Sequence, residues 1–95
     1  MIVSFGDRET ERLYHSRANP PRMPPAIMNA VLRKLDLLDN AADLVDLGSP
    51  PGNRLEALRG NRAGFHSIRA NDQWRVIFRW AARNADDVRV LDHHS

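Results

Sequence analysis

The apolar residues of this chain change their repeat once, and the change divides it in two. In "PAIMNAVLRKLDLLDNA" (25–41), Ile27, Met28, Val31, Leu35 and Leu38 recur at helical spacing, with Leu32 widening the stripe. From residue 54 onward the repeat falls to two. "RLEAL" (54–58), "GFHSIRA" (64–70), "QWRVIFRW" (73–80) and "DVRVLDH" (87–93) read as four strands, joined by "RGNRA", "ND" and "AARNAD". Helices followed by a run of strands predict an α+β fold, with the helices on one face of an antiparallel meander.

The remaining segments fill in this outline. "IVSF" (2–5) reads as a short apolar strand. Asp7 is placed to cap a helix through "DRETERLYHSR", with Glu9 and Glu11 at its positive end and Leu13 and Tyr14 offered to a core. "NPPRMPP" ends that helix, and Pro25 suits the first turn of the next. "DLGSPPGN" is a loop by its glycine and proline content, and "ND" suits a tight hairpin turn. Ninety-five residues fit one domain, 1–95, with a thin core. Cysteine is absent, which excludes a disulfide scaffold and Cys-based zinc sites. No apolar run approaches the ~20 residues of a membrane span, and the opening "MIVSFGDRETER" lacks the pattern of a secretory signal. A cytoplasmic protein with no membrane association is expected.

Net charge is only +2, yet of the 14 basic residues Lys34 alone is lysine. Guanidinium presents a rigid fork of donors that matches phosphate. A GC-rich coding sequence also exchanges Lys for Arg throughout, so the positions of the arginines are more informative than their number. Alternation in 74–80 puts Trp74, Val76, Phe78 and Trp80 on one face and Arg75, Ile77 and Arg79 on the other. If Ile68 joins the core, then Phe65, Ser67 and Arg69 point the opposite way. Arg69 and Arg75 then share the open face on neighbouring strands, which destabilises unless an anion or carboxylate lies between them. That face reads either as a solvated surface with acidic partners or, given Phe65 and Ile77, as an apolar floor for a base or a partner.

"LEALRGNRAGFHSIRANDQWRVIFRW" followed by "VRVLDHH" resembles the HigB branch of the RelE/ParE toxin superfamily. The opening strand, the two helices and the strand order agree with it. The resemblance implies a RelE-like fold: a short N-terminal strand and two helices packed on one face of a mostly antiparallel β-sheet. It further implies the toxin of a type II toxin–antitoxin pair, which binds the ribosomal A site and cuts messenger RNA there without metal or other cofactor. The implied partner is a helix-turn-helix antitoxin of the HigA kind. Carried over residue by residue, the family's basic "L-K-G" position falls on Arg59, its two strand arginines on Arg69 and Arg75, and its terminal aspartate and histidine on Asp92 and His94. His93 replaces the tyrosine between them, and His66 stands where the family often has Trp.

Metal-free RNA cleavage uses the ribose 2′-OH as nucleophile. It needs a base, cations around the phosphorus and an acid for the leaving oxygen. The implied catalytic set is Arg75, His94, Arg69, Arg59, His93 and Asp92, with Arg75 and Arg69 clamping phosphate and His94 moving the proton. Arg62 and Arg79 are RNA-binding candidates. His66 and His15 are expected in packing and surface roles, and Trp74 and Trp80 in the core. The four histidines offer no pair at ligand spacing on one face, so no metal site is expected. Two other readings share the fold: a ParE-like inhibitor of DNA gyrase, which needs no general base, and a weakened toxin that only binds its antitoxin.

Overall fold

The computed structural model describes residues 1–21, 23–49 and 51–92. Helix α1 (Arg8–Ser16) begins where the Asp7 side chain accepts a hydrogen bond from Thr10 N at 2.7 Å, and it ends at Arg17 in the left-handed region. Helix α2 (Pro25–Asn40) has no side-chain cap. Pro25 suits its start because the missing N–H would lack a helical partner there in any case. Val31, Leu35 and Leu38 form its buried stripe. Two short 3-10 turns, Leu44–Gly48 and Pro51–Asn53, then carry the chain to the sheet. Asn53 is fully buried in this passage, donating to Leu47 O at 3.1 Å and accepting from Lys34 Nζ.

Strands β1 (Glu56–Ala57), β2 (Phe65–Arg69), β3 (Trp74–Ala81) and β4 (Asn84–Asp92) form one sheet in sequence order, each pair antiparallel. The N-terminal segment lies parallel along the outer edge of β4, bridging Ile2 to Ala85 and Phe5 to Val88. Gly6 permits this passage, because a Cβ there would collide with the Arg89 side chain and the Asp87 carboxylate. Both helices cover one face of the sheet. Leu13, Val31, Leu35 and Leu38 meet Ile68, Trp74, Val76, Phe78, Val88 and Val90 in the core.

Polar ties fix the helices to the strands. Thr10 is buried, and its hydroxyl accepts from Val90 N at 3.1 Å, continuing the hydrogen bonding of the β4 edge where the N-terminal segment leaves it. Asp39 of α2 accepts from Ile2 N at 2.8 Å. Burial first, and the Asp39 carboxylate second, push the Tyr14 phenol above its ordinary value.

Three segments differ from their sequence patterns. The strand expected over 54–58 is confined to Glu56–Ala57, with one further backbone bond from Leu58 N to Phe65 O at 2.8 Å, because Arg54 adopts a positive φ and the chain turns again at Gly60–Arg62. "AARNAD" is hairpin rather than loop: Ala81 pairs with Asn84 across a two-residue turn at Ala82 and Arg83. Both turn residues have positive φ, 51° and 64°, the geometry that suits the twist of a hairpin. The alternation there was hidden by a bulge, where Asp87 has φ 56° and the register shifts between Ile77 and Arg79. "ND" lies within a four-residue connection in which Asn71 Oδ1 accepts from Gln73 N at 2.9 Å and Trp74 N at 2.6 Å.

Two stability outcomes follow from these features. Thr10→Val keeps the shape but orphans Val90 N–H, and is expected to lower stability by about 1–3 kcal/mol in urea unfolding. Replacing Ala82 and Arg83 by Asn and Gly relieves two left-handed side chains, and is expected to raise stability by about 1 kcal/mol. That is a gain of about 4–8 °C in Tm.

Candidate functional site

The sheet face away from the helices is not a bare polar surface. Its centre is apolar and dry: Phe65, Ser67 and Ile77 are buried, and Leu58 and Leu91 are half-buried. None of the five belongs to the buried cluster beneath the helices. Long charged side chains roof this layer, keeping their heads in water over apolar stems. The Arg79 guanidinium lies 4.3 Å from the centre of the Phe65 ring and close against Gly64.

The strand register brings the arginines together. Arg69 and Arg75 are direct partners across β2 and β3, and Arg75 is also the partner of Leu91 on β4. Directly paired strand residues have Cβ atoms about 4.5–5.5 Å apart, so two guanidiniums repel there unless compensated. Each has its own carboxylate. Arg69 is bridged to Asp72 in the hairpin connection, and Arg75 Nη1 donates to Glu56 Oε1 at 3.4 Å. The second contact is loose, since charge-assisted bonds settle near 2.7–2.9 Å. The Glu56 side chain is 55% exposed, so the pair is worth about 0–1 kcal/mol.

Beside Arg75 the face dips into a cavity of about 140 Å³ lined by Glu56, Leu58, Arg62, Ser67, Arg75, Ile77 and Leu91. Its walls are apolar and its rim carries two guanidiniums and one carboxylate. This arrangement accepts an anionic group at the rim and a flat or apolar group inside. Ser67, in its wall, is fully buried, and its hydroxyl has no hydrogen-bond partner among the described residues. Such an orphan costs about 1–3 kcal/mol.

The residues expected at the site separate into three groups. Arg69, Arg75 and Arg62 converge at or beside the cavity. Arg79 shares their face but sits one row further along, opposite Phe65, with its Nε 3.9 Å from Asp87 Oδ2. Arg59 is exposed at the start of the Gly60–Arg62 turn, one residue beyond Leu58, and does not line the cavity. Asp92 pairs with Trp74 and accepts from Gln73 Nε2 at 2.9 Å, so strand alternation turns it from the arginine face while its neighbour Leu91 lines the cavity. His93 and His94 lie outside the described residues.

Glu56 and Ser67 carry the polar chemistry of the cavity, and sequence reasoning had singled out neither for a role. Glu56 stands in a strand of two residues, and only the β1–β2 register, in which it partners Ser67, brings it near Arg75. The histidine readings hold. His66 stacks on Phe78 at 6.0 Å, and His15 is an exposed helix residue touching Phe5 edge-on. Trp74 is buried in the core and Trp80 packs half-buried against it.

Comparison with known proteins places this geometry in a family. The chain is 45% identical to Toxin HigB-1 of Vibrio cholerae over 80 residues, 84% of each protein. It is 32% identical to an uncharacterised protein of Haemophilus influenzae over 91 residues, covering 96% of this chain and 89% of that one. Among solved structures, the fold resembles YafQ from E. coli with a TM-score of 0.62 at 14% identity, over 97% of this chain and 93% of that one. It also resembles a heterotetrameric YoeB–YefM toxin–antitoxin complex from Staphylococcus aureus, with a TM-score of 0.56 at 13% identity, over 100% of this chain and 99% of that one. The family model for the RelE-like toxin HigB of type II toxin–antitoxin systems matches residues 3–94, and the chain belongs to that family.

Proposed function

We propose that this toxin is an endoribonuclease that cuts messenger RNA on the ribosome, with its reaction centred on the cavity beside Arg75. The observation that carries the reading is the direct pairing of Arg69 and Arg75 next to a cavity edged by Arg62. Two adjacent guanidiniums, one of them in loose contact with the exposed Glu56 carboxylate, suit a phosphodiester better than a purely structural face.

The chemistry follows from what these groups offer. The ribose 2′-oxygen attacks the adjacent phosphorus, forming an O2′–P bond and breaking the P–O5′ bond. The products are a 2′,3′-cyclic phosphate and a 5′-hydroxyl end. Negative charge accumulates on the phosphoryl oxygens in the transition state, where Arg75 and Arg69 meet it. Arginine holds its proton far above working pH and acts as a fixed cation rather than a proton donor. Arg62 adds charge at the cavity rim, Arg59 and Arg79 flank the RNA path, and no metal takes part.

Two proton movements remain: one leaves the 2′-OH and one arrives at O5′. Glu56 lines the cavity and accepts from Arg75. Once phosphate draws Arg75 away, its carboxylate is free to take the 2′-OH proton. The imidazoles of His94 and His93, which come next in the sequence after Asp92, supply the acid for O5′. The antitoxin partner is of the helix-turn-helix kind. The YoeB–YefM assembly, whose fold this chain resembles, is itself a toxin–antitoxin complex.

Arg75→Ala is expected to reduce cleavage about 10²–10³-fold. Arg75→Lys is expected to recover only part of it, because a point charge does not grip two phosphate oxygens at once. Both are read by mapping messenger RNA 5′ ends after induction in growing bacteria. Full activity of Arg75→Ala removes this site from the mechanism. Intact transcripts with DNA damage in cells carrying the unaltered chain overturn the nuclease reading in favour of gyrase inhibition.

A further inference from the structure

The Ser67 hydroxyl has no use in the fold as it stands. It is fully buried on the face away from the helices, has no hydrogen-bond partner among the described residues and lines the cavity that holds Glu56 and Arg75. The register explains its isolation. Glu56 on β1 is the direct partner of Ser67 on β2, and Ser67 is the direct partner of Ile77 on β3. Arg75 stands two residues before Ile77 on the same face. The Glu56–Arg75 contact therefore spans the strand that carries Ser67, running from one of its neighbours to the other. While that contact stands, the carboxylate faces the guanidinium rather than the hydroxyl.

We infer that Ser67 is a positioning residue: when substrate phosphate takes Arg75 from Glu56, the Ser67 hydroxyl donates to the released carboxylate and holds it in the cavity. This rests on the nuclease reading and on Glu56 as its base. The exchange balances its hydrogen bonds. Arg75 trades a carboxylate oxygen for phosphoryl oxygens, and Glu56 trades a guanidinium for a hydroxyl. A carboxylate that kept neither donor would swing toward solvent, since its side chain is already 55% exposed. Ser67 sits on the central β2–β3 ladder, and so supplies a fixed point in a site whose other polar groups end long, mobile side chains.

The test is single-turnover cleavage of ribosome-bound messenger RNA by four proteins: the unaltered chain, Ser67→Ala, Glu56→Gln and the double variant. Ser67→Ala is expected to lower kcat about 10-fold, the loss of a hydrogen bond to a charged group, with KM unchanged. In the Glu56→Gln background the Ser67→Ala loss disappears. Ser67→Thr, which keeps the hydroxyl, restores the rate. Thermal melts confirm folding, and Ser67→Ala is expected to melt no lower than the unaltered chain. Unchanged kcat in Ser67→Ala overturns the inference, as does an equal loss with and without Glu56. If the unaltered chain leaves the message intact, the nuclease reading falls and this inference falls with it.

Discussion

The pairing of β2 with β3 is the constraint on which the rest of the molecule depends. Ile68 partners Val76, and His66 partners Phe78, on the side covered by the helices. With those positions committed to the core, Ser67–Ile77 and Arg69–Arg75 must meet on the other side. A slip of one residue would push the arginines into the apolar layer and expel Ile68 and Val76 to water. Burial on one face thus fixes the charge geometry on the other, without any interaction among the charged groups themselves.

Holding two guanidiniums side by side opposes stability, and the fold offsets this locally. Asp72, from the connection between the same two strands, takes Arg69, and Glu56, from the short edge strand, takes Arg75. These carboxylates differ in character. Asp72 lies three residues from its arginine and comes with the hairpin. Glu56 is distant in sequence, loosely engaged and inside the cavity, and its hold on Arg75 competes directly with any anion that arrives. The Arg79–Asp87–Arg89 group near the β4 bulge repeats the pattern, one carboxylate serving two arginines.

The helices and the β2–β3 hairpin were legible because each is amphipathic with a regular period. Asp7 was legible as a cap because capping is local, a side chain reaching the backbone three residues on. The β3–β4 turn was not, since Ala82 and Arg83 carry no turn signature and the Asp87 bulge breaks the alternation that marks a strand. Arg69 and Arg75 could be paired from alternation alone. Their cavity could not be read, because Leu58, Arg62 and Leu91 come from three separate segments that converge only in the folded sheet.

What the residues determined by themselves was the division into helices and strands, the face each side chain of β2 and β3 takes, and the adjacency of two arginines across a short hairpin. All of these follow from local geometry and from periodicity. The tertiary structure decided that Glu56 reaches Arg75, that the Ser67 hydroxyl lines the cavity beside them without a partner among the described residues, that Arg59 stands clear of the cavity and that Asp92 turns from it. Those outcomes hang on the register of β1 against β2 and of β4 against β3. Register is set by how the whole sheet packs beneath two helices, and no single segment contains that information.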